Sequence, residues 1–169
     1  MRASIYQKTG QPLLALPIWE RLAQPEGEPS LRFQGSYQSA IHFDQLNDVS
    51  GALVRYERVL NTSPTDQEQQ ELLENSKLRF SALRNQQFRE DIAQLQQQQD
   101  WRGVGNLIRQ NWEGGLVEVD DRLINVWVGA LQNQKDWSGI LNLYQDLKRK
   151  ESNKFESILD LIWQAEANE

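Results

Sequence analysis

Apolar residues recur at three- and four-residue steps along nearly the whole chain, and no stretch of five or more residues alternates as a half-buried strand would. This periodicity predicts an all-α protein. Glycine, proline and capping residues separate the periodic stretches and define ten predicted helices. They cover residues 2–9, 12–24, 30–45, 48–61, 66–84, 86–98, 101–112, 117–133, 136–150 and 153–167.

A short phrase led by aspartate occurs three times, beginning at Asp48, Asp100 and Asp136. In each copy a large apolar residue follows the Asp, and a small or β-branched residue lies four positions after it. An Asp at a helix start accepts hydrogen bonds from free backbone N–H groups, and the small residue lets a partner helix approach closely. The last two copies, at Asp100 and Asp136, lie 36 positions apart, a period typical of helix-turn-helix arrays. The longer first interval predicts an extra helix there.

Other residues between the predicted helices support the same boundaries. Ser30 is expected to cap the helix that follows the Pro25 to Pro29 connector. Thr65 and Glu68 have the spacing of a capping box, in which each side chain bonds the other residue's backbone N–H. Gly103 and Gly139 are expected to permit tight crossing of neighbouring helices.

The predicted eighth and ninth helices carry matching apolar stripes and should pack as an antiparallel hairpin. Nothing between the helices resembles a flexible interdomain linker, so one continuous array over residues 1–169 is expected, either complete or as a segment of a longer solenoid. The first stripe contains Leu123, Ile124, Trp127, Val128 and Leu131, and the second contains Trp137, Ile140, Leu141, Tyr144 and Leu147.

The amino-acid composition and net charge exclude several kinds of functional site and partner. The 169 residues include no cysteine and one histidine, which excludes disulfides, thiolate zinc sites and cysteine nucleophiles. The net charge of −6 and the pI near 4.9 argue against a nucleic-acid surface. The apolar runs are short, and Pro17 breaks the first of them, so neither a signal peptide nor a membrane span is predicted. We therefore expect a soluble intracellular protein with no nucleic-acid or membrane partner.

Candidate catalytic chemistry is sparse. A Ser-His-Asp arrangement would have to use His42, for which the sequence singles out no partners. Asp120 and Asp121 are adjacent on a helix and point in different directions, so a role at the helix start is expected for them. Gly103-Val104-Gly105 follows no strand and lacks a lysine, which argues against a phosphate loop. The sequence predicts no cofactor, no metal site and no catalytic residue.

Residues 33–64 resemble a tetratricopeptide repeat. Ala40 and Phe43 stand on the first helix, Asn47-Asp48 at the turn, and Ala52 and Tyr56 on the second helix, with Pro64 closing the repeat. Later copies depart from the motif, with Val104 and Ile140 where it prefers alanine. The resemblance implies a tetratricopeptide-like α-solenoid of about ten antiparallel helices that serves as a non-enzymatic scaffold for protein–protein interaction.

A narrower resemblance points to the helical-repeat FAT region of phosphatidylinositol-3-kinase-related kinases of the ATR type. It is carried by residues 28–31, by residues 44–64 with an Ala-x-x-x-Tyr-Glu-Arg core, and by residues 135–137. The resemblance implies a segment of a DNA-damage checkpoint kinase that contains none of the kinase machinery. A nuclear location would follow from it, and a cytoplasmic location otherwise.

Tetratricopeptide arrays often bind peptides in the groove lined by their first helices. Tyr37, Ile41, Arg122 and Asn125 are the predicted partner-binding residues there, and ordinary solvated surface is the alternative for Arg122 and Asn125. The cationic clamp of some such grooves is missing. The full sets of groove positions are Gln34, Tyr37, Ile41, Asp44 and Gln45 in one repeat and Arg122, Asn125, Gly129, Gln132 and Asn133 in another.

The predicted C-terminal helix carries an apolar arc that is too wide for an exposed end of a solenoid, since solenoid ends are normally polar. Phe155, Leu159, Ile162 and Trp163 are therefore predicted to bind a partner, a neighbouring repeat or a second copy of the chain. The alternative is that this helix folds back onto its own neighbours.

Three functions stay open from the sequence: the scaffold, a free-standing adaptor that binds a peptide in its groove, and a hydrolase-like enzyme that uses His42.

Overall fold

The structure is a computed structural model that describes residues 3, 5, 6, 9, 12–118, 120–150, 162, 163 and 167. These residues contain seven α-helices and no strand, which confirms the all-α prediction. In chain order the helices are α1 (Pro12–Leu22), α2 (Pro29–Gln45), α3 (Val49–Leu60), α4 (Gln67–Gln97), α5 (Trp101–Glu113), α6 (Asp121–Gln134) and α7 (Trp137–Lys150).

The chain forms two compact units, Met1–Phe88 and Arg89–Glu169, and the boundary between them falls inside α4. In the first unit α1 packs on α2 and α2 packs on α3. In the second unit α5 packs on α6 and α6 packs on α7. These four pairs of consecutive helices are thus neighbours in space, whereas the continuous array predicted over the whole chain stays a prediction.

The three Asp-led phrases fold into the same corner between helices. In the first corner Asn47 has a positive φ of 56°, and the N–H of Asp48 donates to the carbonyl of Phe43 at 3.0 Å. These are features of the Schellman helix end. The Asp48 carboxylate then accepts a bond from the N–H of Gly51 at 2.8 Å and caps α3. Equivalent bonds and positive φ angles recur at Gln99-Asp100 and Lys135-Asp136.

The glycine three positions after each capping Asp fits under the carboxylate. A Cβ on Gly51 would lie 2.6 Å from Oδ2 of Asp48, and the corresponding approach is even closer at Gly103 and Gly139. A Cβ on Gly103 would also lie 3.0 Å from the side chain of Leu95. The structure therefore gives these glycines mainly a capping role, which differs from the predicted role in helix crossing.

The first unit has an apolar core on the side of α2 that faces α3 and α4. Phe33 and Val59 are fully buried beside Leu73, and Ala40 and Ala52 are fully buried in a neighbouring cluster. Alanines at this seam allow close packing of α2 and α3. The second cluster also contains Val49, Tyr56 and Leu83.

The second unit buries most of the two stripes predicted from the sequence. The α6 side chains of Ile124, Trp127, Val128 and Leu131 are buried. On α7, Leu143 is buried although the prediction omitted it. Ile140 and Leu147 are buried as predicted, and Leu123, Trp137, Leu141 and Tyr144 are half-buried.

Seven helices are observed in the described residues instead of the ten predicted. The predicted helices 66–84 and 86–98 form the single 31-residue helix α4, because neither glycine nor proline interrupts the chain between them. The predicted helix 117–133 begins later, at Asp121, where Asp120 caps it. The predicted helices 2–9 and 153–167 lie largely outside the described residues.

Two predicted caps differ from the observed ones. Ser30 does not cap α2, which begins at Pro29 with no side-chain cap on Glu28. At α4 the Asp66 carboxylate caps the N–H of Gln69 at 2.8 Å, and the Gln69 side chain accepts from the N–H of Thr65 at 3.1 Å. The cap is thus at Asp66, one residue later than predicted, and bonds of Gln69 with Asp66 and Thr65 take the place of the predicted reciprocal bonds between Thr65 and Glu68.

Candidate functional site

The predicted groove residues Tyr37 and Ile41 are half-buried on α2. Tyr37 packs against the cluster of Phe33, Val59 and Leu73, and this burial raises the pKa of its hydroxyl above the ordinary value. Since one side of Tyr37 supports the core, only part of its ring is available to a partner. Ile41 lies one turn further along the same helix.

The predicted residues Arg122 and Asn125 are exposed on α6 in the second unit. Gly129 lies one turn after Asn125, and a Cβ placed there would meet nothing within 4 Å. The Asn133 side chain donates to the carbonyl of Gly129 at 2.7 Å. We call Arg122, Asn125, Gly129 and Asn133 the α6 polar face, which presents hydrogen-bonding groups around an uncovered stretch of backbone.

The predicted C-terminal residues are described only in part. Ile162 is 5% exposed and Trp163 is 73% exposed. Phe155 and Leu159 lie outside the described residues. Of the two described side chains, one is therefore buried within the structure and the other is open to solvent.

A charged network occupies one of the predicted groove positions. Asp44 accepts two bonds from the guanidinium of Arg79, from Nε at 2.7 Å and from Nη2 at 2.6 Å, and a third from the hydroxyl of Tyr56 at 3.3 Å. The bonds from Arg79 lower the pKa of Asp44 although partial burial raises it. The stability that this ionised carboxylate contributes is therefore present above its ordinary pKa and is lost as the pH falls through the lowered value. Asp44 ties α2 to α3 and α4 and is not a free groove residue.

A second charged cluster holds α1 against α3. Glu20 accepts bonds from Arg55 at 2.9 Å and from Arg58 at 3.0 Å. Arg55 lies 3.9 Å above the ring of Phe43, a cation–π contact. Partial burial raises the pKa of Glu20, but the bonds and charges of Arg55 and Arg58 outweigh this effect and lower it overall. Both networks join residues more than 30 positions apart in sequence, so helical periodicity gave no sign of them.

Several buried polar atoms in the first unit have no hydrogen-bond partner among the described residues. They include Nε1 of Trp19, Oγ of Ser36 and Ser39, and Nε2 of His42. An unsatisfied buried polar group costs about 1–3 kcal/mol. The Nε atom of Arg32 also has no hydrogen-bond partner among the described residues, although the Nη1 atom of the same side chain donates to the carbonyl of Pro25 at 3.1 Å. The interior of this unit therefore combines well-packed apolar clusters with buried polar atoms, several of them on α2, that lack hydrogen-bond partners among the described residues.

The surroundings of His42 provide no catalytic geometry. The residue is 8% exposed, and its ring contacts Phe43 edge-on with a centroid distance of 6.1 Å. No described nucleophile hydrogen-bonds to its Nε2. The described residues also contain no group of three His, Asp or Glu side chains that could hold a metal ion.

An aromatic pair lies inside the second unit. Trp112 and Trp127 meet edge-on with a centroid distance of 5.5 Å. Lys150 lies 4.4 Å above the ring of Trp112, and Arg109 lies 5.8 Å from the ring of Trp127. The sequence predicted that Trp127 lies in the core but did not identify Trp112 as its partner. The pair stabilises α5 against α6, and the two cations cover it.

No protein-family model, curated protein or solved structure matches this chain. Within the part of the chain that the structure describes, no helix is long and apolar enough to cross a membrane.

Proposed function

We propose that this protein is a non-catalytic scaffold of helical hairpins that binds another protein. The observation that carries the proposal is the recurring corner: the same cap and helix end occur at Asp48, Asp100 and Asp136, and the helices joined at Asp48 and at Asp136 pack side by side. Arrays of this kind bury one face of each helix against its neighbours and leave the other face for recognition.

The α6 polar face is the proposed recognition surface. Arg122 offers a fork of N–H donors and Asn125 offers both a donor and an acceptor. The open space above Gly129 lets the backbone of a bound segment approach the helix closely. These features suit an extended peptide segment with polar side chains, in keeping with the groove binding expected from the tetratricopeptide resemblance.

The free-standing adaptor and the segment of a longer solenoid are two forms of this proposal. Both use the same hairpins and the same α6 polar face. The exposure of Trp163 supports association through the C-terminal region. The FAT-type assignment, with its checkpoint kinase and nuclear location, stays a prediction.

The hydrolase alternative receives less support. A catalytic histidine must reach a nucleophile through one ring nitrogen while a third group orients the ring. The buried ring of His42 contacts Phe43, and its Nε2 has no partner among the described residues. We therefore propose recognition and not reaction as the activity of this chain.

Selection from a display library of random peptides tests the proposal. Enriched peptides are labelled, and their affinity for the full-length protein is measured by fluorescence anisotropy. We expect Gly129→Trp, which fills the open space above α6, to weaken binding about tenfold or more. Arg122→Ala should weaken it as well, because a donor to the peptide is lost.

Arg102→Ala is the matched control, since Arg102 is an exposed arginine on α5 that does not belong to the α6 polar face. Circular dichroism and the denaturation midpoint check that each variant is folded. Failure to enrich any peptide would contradict the proposed function. Peptides that bind Gly129→Trp as tightly as the unmodified protein would contradict the assignment of the surface.

A further inference from the structure

Helix α1 is attached to the rest of the first unit differently from the other helices of that unit. Its buried residues Ala15 and Trp19 cluster with Ala3, and the partly buried residues around this cluster are Tyr6, Ile18 and Leu22. No residue of α2 belongs to the cluster. The apolar contacts of α1 are therefore largely separate from the core formed by α2, α3 and α4.

The contact between α1 and α2 is close: the α1 backbone and the Cβ of Leu22 lie against Gly35, and the stripe of α2 that contains Gly35 carries small and polar residues. A Cβ on Gly35 would lie 2.6 Å from the carbonyl oxygen of Trp19 and 2.8 Å from the backbone nitrogen of Ala23, so the two backbones nearly touch. Ser39 and His42 lie four and seven positions after Gly35 and share its stripe on α2. The buried polar atoms of these two residues have no hydrogen-bond partner among the described residues.

The backbone of α1 is also weakened internally. Pro17 lies inside the helix and has no N–H, so it cannot donate to the carbonyl four residues earlier. Trp19 adds a buried Nε1 that has no hydrogen-bond partner in the described part of the chain. Separation from α2 would allow water to hydrogen-bond to all of these groups, which lowers the cost of opening.

Ion pairs to α3 oppose this opening. Glu20 bonds both Arg55 and Arg58, and the three side chains keep 25%, 21% and 43% of their surface accessible to solvent. Because they are reached by solvent, salt screens their attraction. The strength of the attachment of α1 should therefore depend on ionic strength.

We propose that α1 is a releasable helix that undocks from α2 as a unit while α2 and α3 stay folded. The ion pairs of Glu20 hold α1 in place, and their strength falls as the salt concentration rises. This device goes beyond the proposed binding function and does not depend on it. The α2–α3 pair remains folded because its buried residues form clusters that contain no residue of α1. Openings of this limited size are known to occur below the free energy of global unfolding.

Hydrogen exchange of the full-length protein, followed by mass spectrometry at about 50 mM and about 500 mM NaCl, tests the proposal. Amides 18–22 should exchange together and about tenfold faster than amides 52–60 of α3, and their exchange should accelerate at the higher salt concentration. Equal protection of the two helices would overturn the proposal.

Two variants separate release from simple fraying of a terminal helix. Glu20→Gln should accelerate exchange of amides 18–22 about threefold and reduce their salt dependence. Glu57→Gln should do neither, since Glu57 is exposed on α3 and forms no ion pair with another described residue. Ser39→Ala removes an unsatisfied hydroxyl and should slow exchange of α1 about tenfold, with Ser81→Ala as its exposed control.

Protection of amides 52–60 reports in each variant that α3 remains folded. Graded exchange from the start of α1 that ignores both Glu20→Gln and Ser39→Ala would show fraying and would reject the releasable helix.

Discussion

Helix α2 has two different joints, one with α1 and one with α3. Towards α3 it presents Phe33 and Ala40, both fully buried in apolar clusters. Towards α1 it presents Gly35, and Ser39 and His42 share the stripe of Gly35 and leave polar atoms with no partner among the described residues. The same helix thus forms a strong apolar joint on one side and a close but polar joint on the other.

The connections differ in the same way. The α2–α3 turn is one of the three corners, with the Schellman bonds and the Asp48 cap. The α1–α2 turn passes through residues 23–28, and α2 begins there with no side-chain cap. Close approach of two helix backbones is therefore not enough for a stable contact, because stability also requires buried apolar side chains and polar groups with hydrogen-bond partners.

The largest effect is expected from breaking the strong joint. Phe33→Ala removes a fully buried ring from the cluster with Val59 and Leu73, and we expect the free energy of unfolding to fall by about 3–5 kcal/mol. Chemical denaturation measures this change. Leu78→Ala is the control, since Leu78 is 73% exposed on α4 and its truncation should change stability by less than about 0.5 kcal/mol. Similar losses in the two variants would contradict this assignment of the core.

A smaller effect is expected at the polar joint. Gly35→Ala places a methyl group against the α1 backbone, which cannot yield as a flexible side chain would, and should cost about 1–3 kcal/mol. Gly129→Ala provides the comparison, because its methyl group meets nothing and its helix propensity should stabilise by up to about 1 kcal/mol. Denaturation midpoints of the two variants should therefore move in opposite directions. If both rise, α1 does not lie as close to α2 as described.

The smallest effect is expected at the corners. Asp48→Ala removes the cap on Gly51 and should lower the free energy of unfolding by about 1 kcal/mol. Asp100→Ala and Asp136→Ala should cost similar amounts, since their caps have the same length. Asp121→Ala is the control, because Asp121 lies in the first turn of α6 without capping it. A loss for Asp121→Ala as large as that for Asp48→Ala would indicate a general charge effect in place of capping.

The features that the sequence predicted correctly are local ones. The Asp-led phrase located three helix starts, because the cap and the preceding helix end involve residues close in sequence. The apolar stripe of α6 was read correctly for the same reason, since one helix determines its own periodicity. Helix ends were predicted less well where no glycine or proline marks them, and the single helix α4 was therefore predicted as two helices.

The features that the sequence did not predict depend on contacts between distant helices. The pairs Asp44–Arg79 and Glu20–Arg55 each join residues separated by 35 positions. Residue type alone also did not show that Ser39 and His42 would be buried without partners, because a serine or histidine on a helix is equally compatible with solvent exposure. The candidate site could be predicted only in part, because the sequence does not give the solvent exposure of each side chain, and that exposure decides which residues are available to a partner.

The corner at residues 43–51 has one further consequence. The bonds that reverse the chain there, from the N–H of Asn47 to Asp44, from the N–H of Asp48 to Phe43 and from the N–H of Gly51 to the Asp48 carboxylate, all join residues within this short stretch. Duplication of a gene segment that begins and ends at such corners would lengthen the protein by whole hairpins without disturbing the existing ones.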